Sequence, residues 1–272
     1  MKPFLKWAGG KFRIVTDIKN RLPEGRRLVE PFIGSGAVFL NVEFEEYLLA
    51  DVNADLITLY RTLQADGPDF ITECRELFTA LNNTRERYYE LRREYNTTAD
   101  SWRKSVLLVY LNRHCYNGLY RTSRNGFNVP FGRYQRPYFP EGEMLEFHRK
   151  AQHAVFVHAD FRTVMQQAEA GDRVYCDPPY HALTRTANFT GYQAGGFGAS
   201  EQIALATEAR RLAARSIPVL VSNHDTPFIR DLYQGADILH LSVPRVISRD
   251  VHNRVPVGEV LALFRPDTPS SH

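Results

Sequence analysis

The stretch Tyr175-Cys176-Asp177-Pro178-Pro179-Tyr180 constrains this chain more than any other. A short apolar run enters it as a strand, and two successive prolines forbid that strand to continue. Each proline fixes its own φ and lacks an N–H, and Pro179 pushes Pro178 toward an extended or polyproline conformation. The backbone therefore leaves the sheet presenting carbonyl oxygens only. Asp177 adds another acceptor beside them and Tyr180 a flat ring, so the corner suits an exocyclic amine on a planar base. A plain Pro-Pro turn draws on the same residue types, and the remaining sequence has to separate the two.

Upstream, Leu28-Val-Glu-Pro-Phe32-Ile-Gly34-Ser-Gly36-Ala-Val-Phe39 reads as an apolar strand running into Gly-x-Gly and then a helix. Glycines after the first strand of a doubly wound sheet permit a tight turn and close approach of a nucleotide-bearing cofactor. Tyr47-Leu-Leu-Ala-Asp51 is a second short strand ending in an acid, near the spacing at which such folds hydrogen-bond ribose hydroxyls. The third glycine of the dinucleotide fingerprint is missing, since position 39 is Phe39, which favours a phosphate-free adenosine cofactor over NAD. Phe4-Leu-Lys6-Trp7-Ala-Gly-Gly-Lys11 supplies an indole wall and positive charge before a helical run that starts near Arg13. Asn53 is placed to cap a helix whose Leu56, Ile57, Tyr60 and Leu63 share one face.

From about residue 55 to 148 the pattern is helical and highly charged, and the mixed-sign runs read as solvated helix faces. Residues 112 to 140 then contain no acid at all. Arg113, Arg121, Arg124, Arg133 and Arg136 alternate with Tyr116, Tyr120, Phe127, Phe131, Tyr134 and Tyr138. Arginines neutralise phosphates and grip bases, and aromatic rings stack on bases or wedge between them, so this segment reads as a nucleic-acid surface. Asn125-Gly126 signals a hairpin turn and thus a two-stranded ribbon, a shape that fits the major groove.

In the last third, Ala154–His158 reads as a strand, and Asp160 either lines an adenine or caps the next helix. Residues 181 to 199 form a long polar loop in which Asn188-Phe189 could close over the site. Ser200 is expected to cap a helix whose Ile203, Ala206, Ala209, Leu212 and Ala213 share a face. Residues 217–222 form a buried strand, followed by Asn223-His224-Asp225 as a polar strand end with a structural histidine. Glu259–Phe264 reads as an edge strand. Strands alternating with helices imply an α/β sheet.

At 272 residues, the chain is long enough for a domain carrying an insertion. No apolar run approaches the roughly 18 residues a membrane span needs, and Met1–Trp7 lacks the pattern of a signal peptide, so the expected location is the cytoplasm. The three cysteines are far apart and form no CxxC pair, which argues against a disulfide framework and against a metal site.

Lys-Trp-Ala-Gly-Gly-Lys, Glu-Pro-Phe-x-Gly-x-Gly, a basic insertion and Asp-Pro-Pro-Tyr, in that order, resemble the Dam-type DNA adenine-N6 methyltransferases of alpha motif arrangement. The likeness covers nearly the whole chain. It extends to Asn112–Arg121, Phe127–Arg133, Thr186–Thr190 and Ser222–Asp225. It implies a doubly wound, Rossmann-like catalytic domain over 1–54 and 149–272, with an inserted, mainly helical target-recognition domain over 55–148 that carries a β-hairpin.

The resemblance also implies a monomeric enzyme that transfers methyl from S-adenosylmethionine to N6 of a flipped-out adenine in double-stranded DNA, within GATC. Trp7, Lys11, Phe32, Gly34, Gly36, Asp51 and Asp177 would hold the cofactor, and Asp177, Pro178 and Tyr180 would carry the chemistry. Lys6, Tyr116, Asn117, Leu119, Arg121, Pro130 and Arg133 would bind DNA, with Tyr116 as wedge, Arg133 on a phosphate and Lys6 on the flank. His181 and residues 249–257 depart from the family pattern. Rival readings are N4-methylation of cytosine, whose amine fits the same corner, and a non-catalytic DNA-binding regulator, which would need neither Asp177 nor the glycines.

Overall fold

The computed structural model describes residues 1–180, 197–243 and 257–266. His181, Thr186, Asn188, Phe189 and the segment 249–256 lie outside them. Among the described residues, seven strands form one sheet: β1 (Arg27–Glu30), β2 (Glu46–Asp51), β5 (Ala154–His158), β6 (Asp172–Cys176), β7 (Val219–His224), β8 (Asp237–Val243) and β9 (Val257–Phe264). Their spatial order is β5-β2-β1-β6-β7-β9-β8. The first five are parallel to one another, and β9 is antiparallel to both its neighbours.

Period-two alternation in these strands feeds two separate cores. Leu28, Leu49, Tyr175, Leu220 and Leu261 face one, and Val29, Leu48, Val174, Val219 and Val260 face the other. The first core is covered by α2 (Ala54–Glu76), α4 (Ser101–His114) and α5 (Glu141–Ala151). The second is covered by α6 (Phe161–Gln166), α7 (Ala199–Ala214) and α8 (Pro227–Leu232). Helices on both faces of a mainly parallel sheet make this a doubly wound α/β fold. From β1 the chain steps outward through β2 to β5, then returns to the other side of β1 as β6. The order therefore reverses between β1 and β6, and in such sheets the ligand crevice lies beyond the carboxyl ends of the strands at that reversal.

Pro68 lies inside α2 and bends it, with Asp66 at φ −126° and ψ 39°. A bend there withdraws amides from the carbonyls one turn back, and α5 with its C-cap Gln152 supplies replacements. His148 Nδ1 donates to the Leu63 carbonyl at 2.8 Å, and Gln152 Nε2 to that of Gln64 at 2.9 Å.

Three expectations are corrected. Glu259–Phe264 is not at the edge of the sheet: β8, unforeseen in the sequence, lies outside it. Val260 and Ala262 fill one core and Leu261 and Leu263 the other, and burial on both faces is the pattern of an interior strand. The N-cap of α7 is Gly198, whose amide donates to Glu201 Oε2 at 3.0 Å, while Ser200 Oγ bonds that same oxygen at 2.9 Å. Ile203 is 49% exposed, because the buried stripe of α7 runs through Gln202, Leu205, Ala206, Ala209, Leu212 and Ala213. Asn53 caps α2, as expected, accepting from the Leu56 amide at 3.1 Å. Asp160 is the cap of α6.

Candidate active site

The reversal between β1 and β6 brings two loops to one place. After β1, Gly34 and Gly36 take φ of +48° and +73°, the left-handed region that glycine enters without strain. A side chain at Gly34 would also press on Trp7, since a Cβ there would stand 3.2 Å from the indole Cδ1. Asp51, at the end of β2, accepts from the Gly34 amide through Oδ2 at 3.1 Å and from the Asn53 amide through Oδ1 at 2.9 Å. Burial raises the proton affinity of Asp51, and these amides oppose the rise. Phe32 lies between Phe161 and Phe197, with ring centroids 5.5 and 5.7 Å away.

After β6 the two prolines turn the chain out of the sheet, Pro178 buried and Pro179 exposed. Asp177 Oδ1 is held from two sides, by Lys11 Nζ at 3.1 Å and by Ser222 Oγ of β7 at 3.0 Å. No described group donates to Oδ2 or to the Pro178 carbonyl, whereas the Pro179 carbonyl accepts from Gln202 Nε2 at 3.0 Å. Among the described residues, two acceptors on adjacent positions are thus left without a donor. Burial pushes the Asp177 carboxyl above its ordinary range, Lys11 and Ser222 pull it back, and the charge of Glu259 adds to the rise. Lys11 Nζ also sits 4.4 Å from the centre of the Tyr180 ring and donates to the Gly9 carbonyl at 2.7 Å.

Sequence reasoning missed several partners. Ser222 orients Asp177, and Glu259 receives the Tyr180 hydroxyl at 3.1 Å. Buried Glu30 ends β1, and burial together with the charge of Asp177 lifts its carboxyl well above the usual range. A carboxylate at a parallel strand's C-terminal end, Glu30 in this case, was a signal available from the sequence. Ser222 and Glu259 become neighbours of the corner only through strand order.

The residues expected to meet DNA gather at the end of α4. Asn112 clamps Lys6 there, accepting from its amide at 2.8 Å and donating to its carbonyl at 2.7 Å. Lys6 Nζ lies 4.5 Å over the Tyr134 ring, and the Tyr134 hydroxyl accepts from the Asn117 amide at 3.0 Å. Tyr116 is 48% exposed and its amide donates to the Pro130 carbonyl at 2.8 Å. Asn117 and Arg133 hold φ of +54° and +56°, conformations that cost non-glycine residues free energy and gather where function requires them.

The ribbon is short, β3 (Thr122–Ser123) against β4 (Gly126–Phe127), so the turn is Arg124-Asn125 and Gly126 takes the first paired position at φ +82°. At its base Arg121 Nε donates to Asn128 Oδ1 at 2.6 Å. Leu119 is half-buried against the core. Not every residue of the acid-free segment faces outward: Arg113 is buried with its guanidinium on the Phe4 carbonyl, and Tyr120 and Phe127 are core residues. Tyr120 stacks on Trp7, centroids 5.3 Å apart at 25°, and bonds Asn53 Oδ1 at 3.4 Å. The acid-free loop and the glycine turn therefore share a wall.

Known proteins match this arrangement. Residues 7–247 fit the family described as D12 class N6 adenine-specific DNA methyltransferase. The DNA adenine methylase of Serratia marcescens is 48% identical over 266 residues, 97% of this chain and 98% of that one. Those of Escherichia coli K12 and Vibrio cholerae El Tor are 48% and 47% identical, each covering 97% of this chain and 96% of its own. Nearly the full length is thus shared with enzymes of one kind, and the chain belongs to the D12 class N6 adenine-specific DNA methyltransferases.

Proposed function

We propose that this DNA adenine-N6 methyltransferase takes its methyl group from S-adenosylmethionine and delivers it to an adenine swung out of duplex DNA, within GATC. The observation that carries the reading is the pair of open acceptors, Asp177 Oδ2 and the Pro178 carbonyl, at the sheet's reversal point.

The cleft fits the cofactor. A turn that would lose room to any side chain at Gly34 offers backbone approach, and both Asp51 oxygens retain lone pairs for a ribose diol beyond the one amide each accepts. Trp7, Lys11, Phe32, Gly34, Gly36, Asp51 and Asp177 are the residues that would hold it. When bound, S-adenosylmethionine supplies an electrophilic methyl on a sulfonium.

The chain does the rest. An adenine in the helix cannot reach a buried cleft, so it is extruded at an unstacking cost of a few kcal/mol, offset by pocket contacts. Tyr116 fills the stack it leaves, and Asn117 holds the backbone or the orphaned base. Leu119, Arg121 and Pro130 read base edges, Arg133 and Lys6 hold the site and its flank, and segment 55–148 acts as the target-recognition insertion. Tyr180 stacks on the extruded ring. Asp177 Oδ2 and the Pro178 carbonyl each accept one N–H of the exocyclic amine, which draws its lone pair out of conjugation and aims it across the cleft. The raised proton affinity of Asp177 suits it to hold the proton that the amine gives up. Alignment and fixed acceptors supply the rate enhancement.

Incubating plasmid with the enzyme and S-adenosylmethionine, followed by single-molecule sequencing, tests this directly. N6-methyladenine confined to GATC is expected; modified cytosines or unmodified adenines would overturn it. Asp177→Ala should abolish transfer while DNA affinity, measured by anisotropy, stays within about threefold, because phosphate contacts dominate affinity.

A further inference from the structure

Tyr180 is held at three places. Lys11 lies over its face, the His224 ring meets it edge-on with centroids 4.3 Å apart, and its hydroxyl donates to Glu259 Oε2 at 3.1 Å. The last contact depends on topology. Glu259 pairs with His224 across the antiparallel β7–β9 ladder, so the late strand that enters the sheet between β7 and β8 delivers a carboxylate to a corner built by β6. A half-buried carboxylate on a phenol makes a charge-assisted bond, roughly twice as strong as a neutral one. It also sits where its charge opposes ionisation of Asp177, an arrangement that stability alone would not select.

We propose that Glu259 is a positioning residue for methyl transfer: by gripping the Tyr180 hydroxyl it fixes the ring as a standing wall for the target base before that base arrives. The inference rests on the reading of Tyr180 as the stacking surface. Ordering the ring in advance removes that ordering cost from the step in which the base is captured and aligned. A ring without the tip anchor would keep its shape and burial but lose its fixed orientation.

The test is a double-mutant cycle on the single-turnover methylation rate of a GATC duplex. Tyr180→Phe and Glu259→Ala should each slow the step roughly tenfold or more, the range of a hydrogen bond to a charged group. The double variant should be no slower than either single one. Glu259→Gln, whose amide oxygen still accepts a hydroxyl, should recover most of the rate. Tyr180→Phe changes one atom and keeps the ring, so the cycle stays informative even where Glu259→Ala folds poorly. Losses that multiply, a Glu259→Gln variant as slow as Glu259→Ala, or no loss at all would overturn the inference. A wild-type enzyme that leaves adenine unmodified would instead sink the reading beneath it.

Discussion

Asp177 carries two oxygens in different situations: Oδ1 is tied to Lys11 and Ser222, and Oδ2 accepts from no described group. The tie has an electrostatic consequence. Burial raises the carboxyl's proton affinity and the Lys11 ammonium is the largest opposing influence. Lys11→Gln therefore raises the pKa of Asp177 further, and the acid limb of the rate against pH should move to higher pH; a limb that stays put or moves down would contradict the assignment. Much of this was legible, because two prolines after an apolar run leave few places for the preceding acid. Ser222 and Glu259 were not legible, since nothing in residues 45 and 82 positions downstream signals which strands become neighbours. The aromatic rings of the acid-free segment were read too uniformly: Tyr120 and Phe127 have the same composition context as Tyr116 but lie in the core.

From the end of α4 to just past β4 the acid-free loop is held by its own backbone. The Tyr116 amide bonds Pro130, the Gly132 amide bonds the His114 carbonyl, and Cys115 bridges to Phe131. Arg121 and Arg133 leave this scaffold in different ways, and that separates their expected roles. Arg121 is fixed against Asn128 at the base of the ribbon, as the proposed base-reading role requires, whereas Arg133 is exposed on a left-handed residue. Arg121→Ala should relax base choice at one position of the site, with a discrimination loss of about 1–3 kcal/mol. Arg133→Gly keeps the positive φ while removing the guanidinium, so affinity should fall across all sequences and the salt slope should drop by about 1. Competition binding at several salt concentrations separates the two; equal losses of specificity would contradict the division. The ribbon itself was foreseen from Asn125-Gly126, one residue out of register, because glycine here accommodates the first pair and not the turn centre.

Across the whole molecule, the bend in α2 fastens that helix to α5 and its C-cap. Gly67 lies at that bend against the His148 ring, which is itself anchored on the Leu63 carbonyl, and a methyl group there would overlap the ring. Gly67→Ala, favourable by about 1 kcal/mol in an unhindered helix, should instead destabilise the fold by about 1–3 kcal/mol through overpacking. A thermal melt at or above the wild-type midpoint would refute this. Helix periodicity announced α2, but the bend escaped notice because its cause, Pro68, acts only through the partners that claim the freed carbonyls. The shared wall of Trp7 and Tyr120 reaches furthest. One ring borders the glycine turn and the other belongs to the acid-free loop, so on the proposed reading the two substrates would meet opposite sides of a single stack. Whatever preference one of them imposes on that stack is returned in equal measure to the other: a donor that tightens the grip on the duplex must itself be gripped more tightly by an enzyme already on DNA.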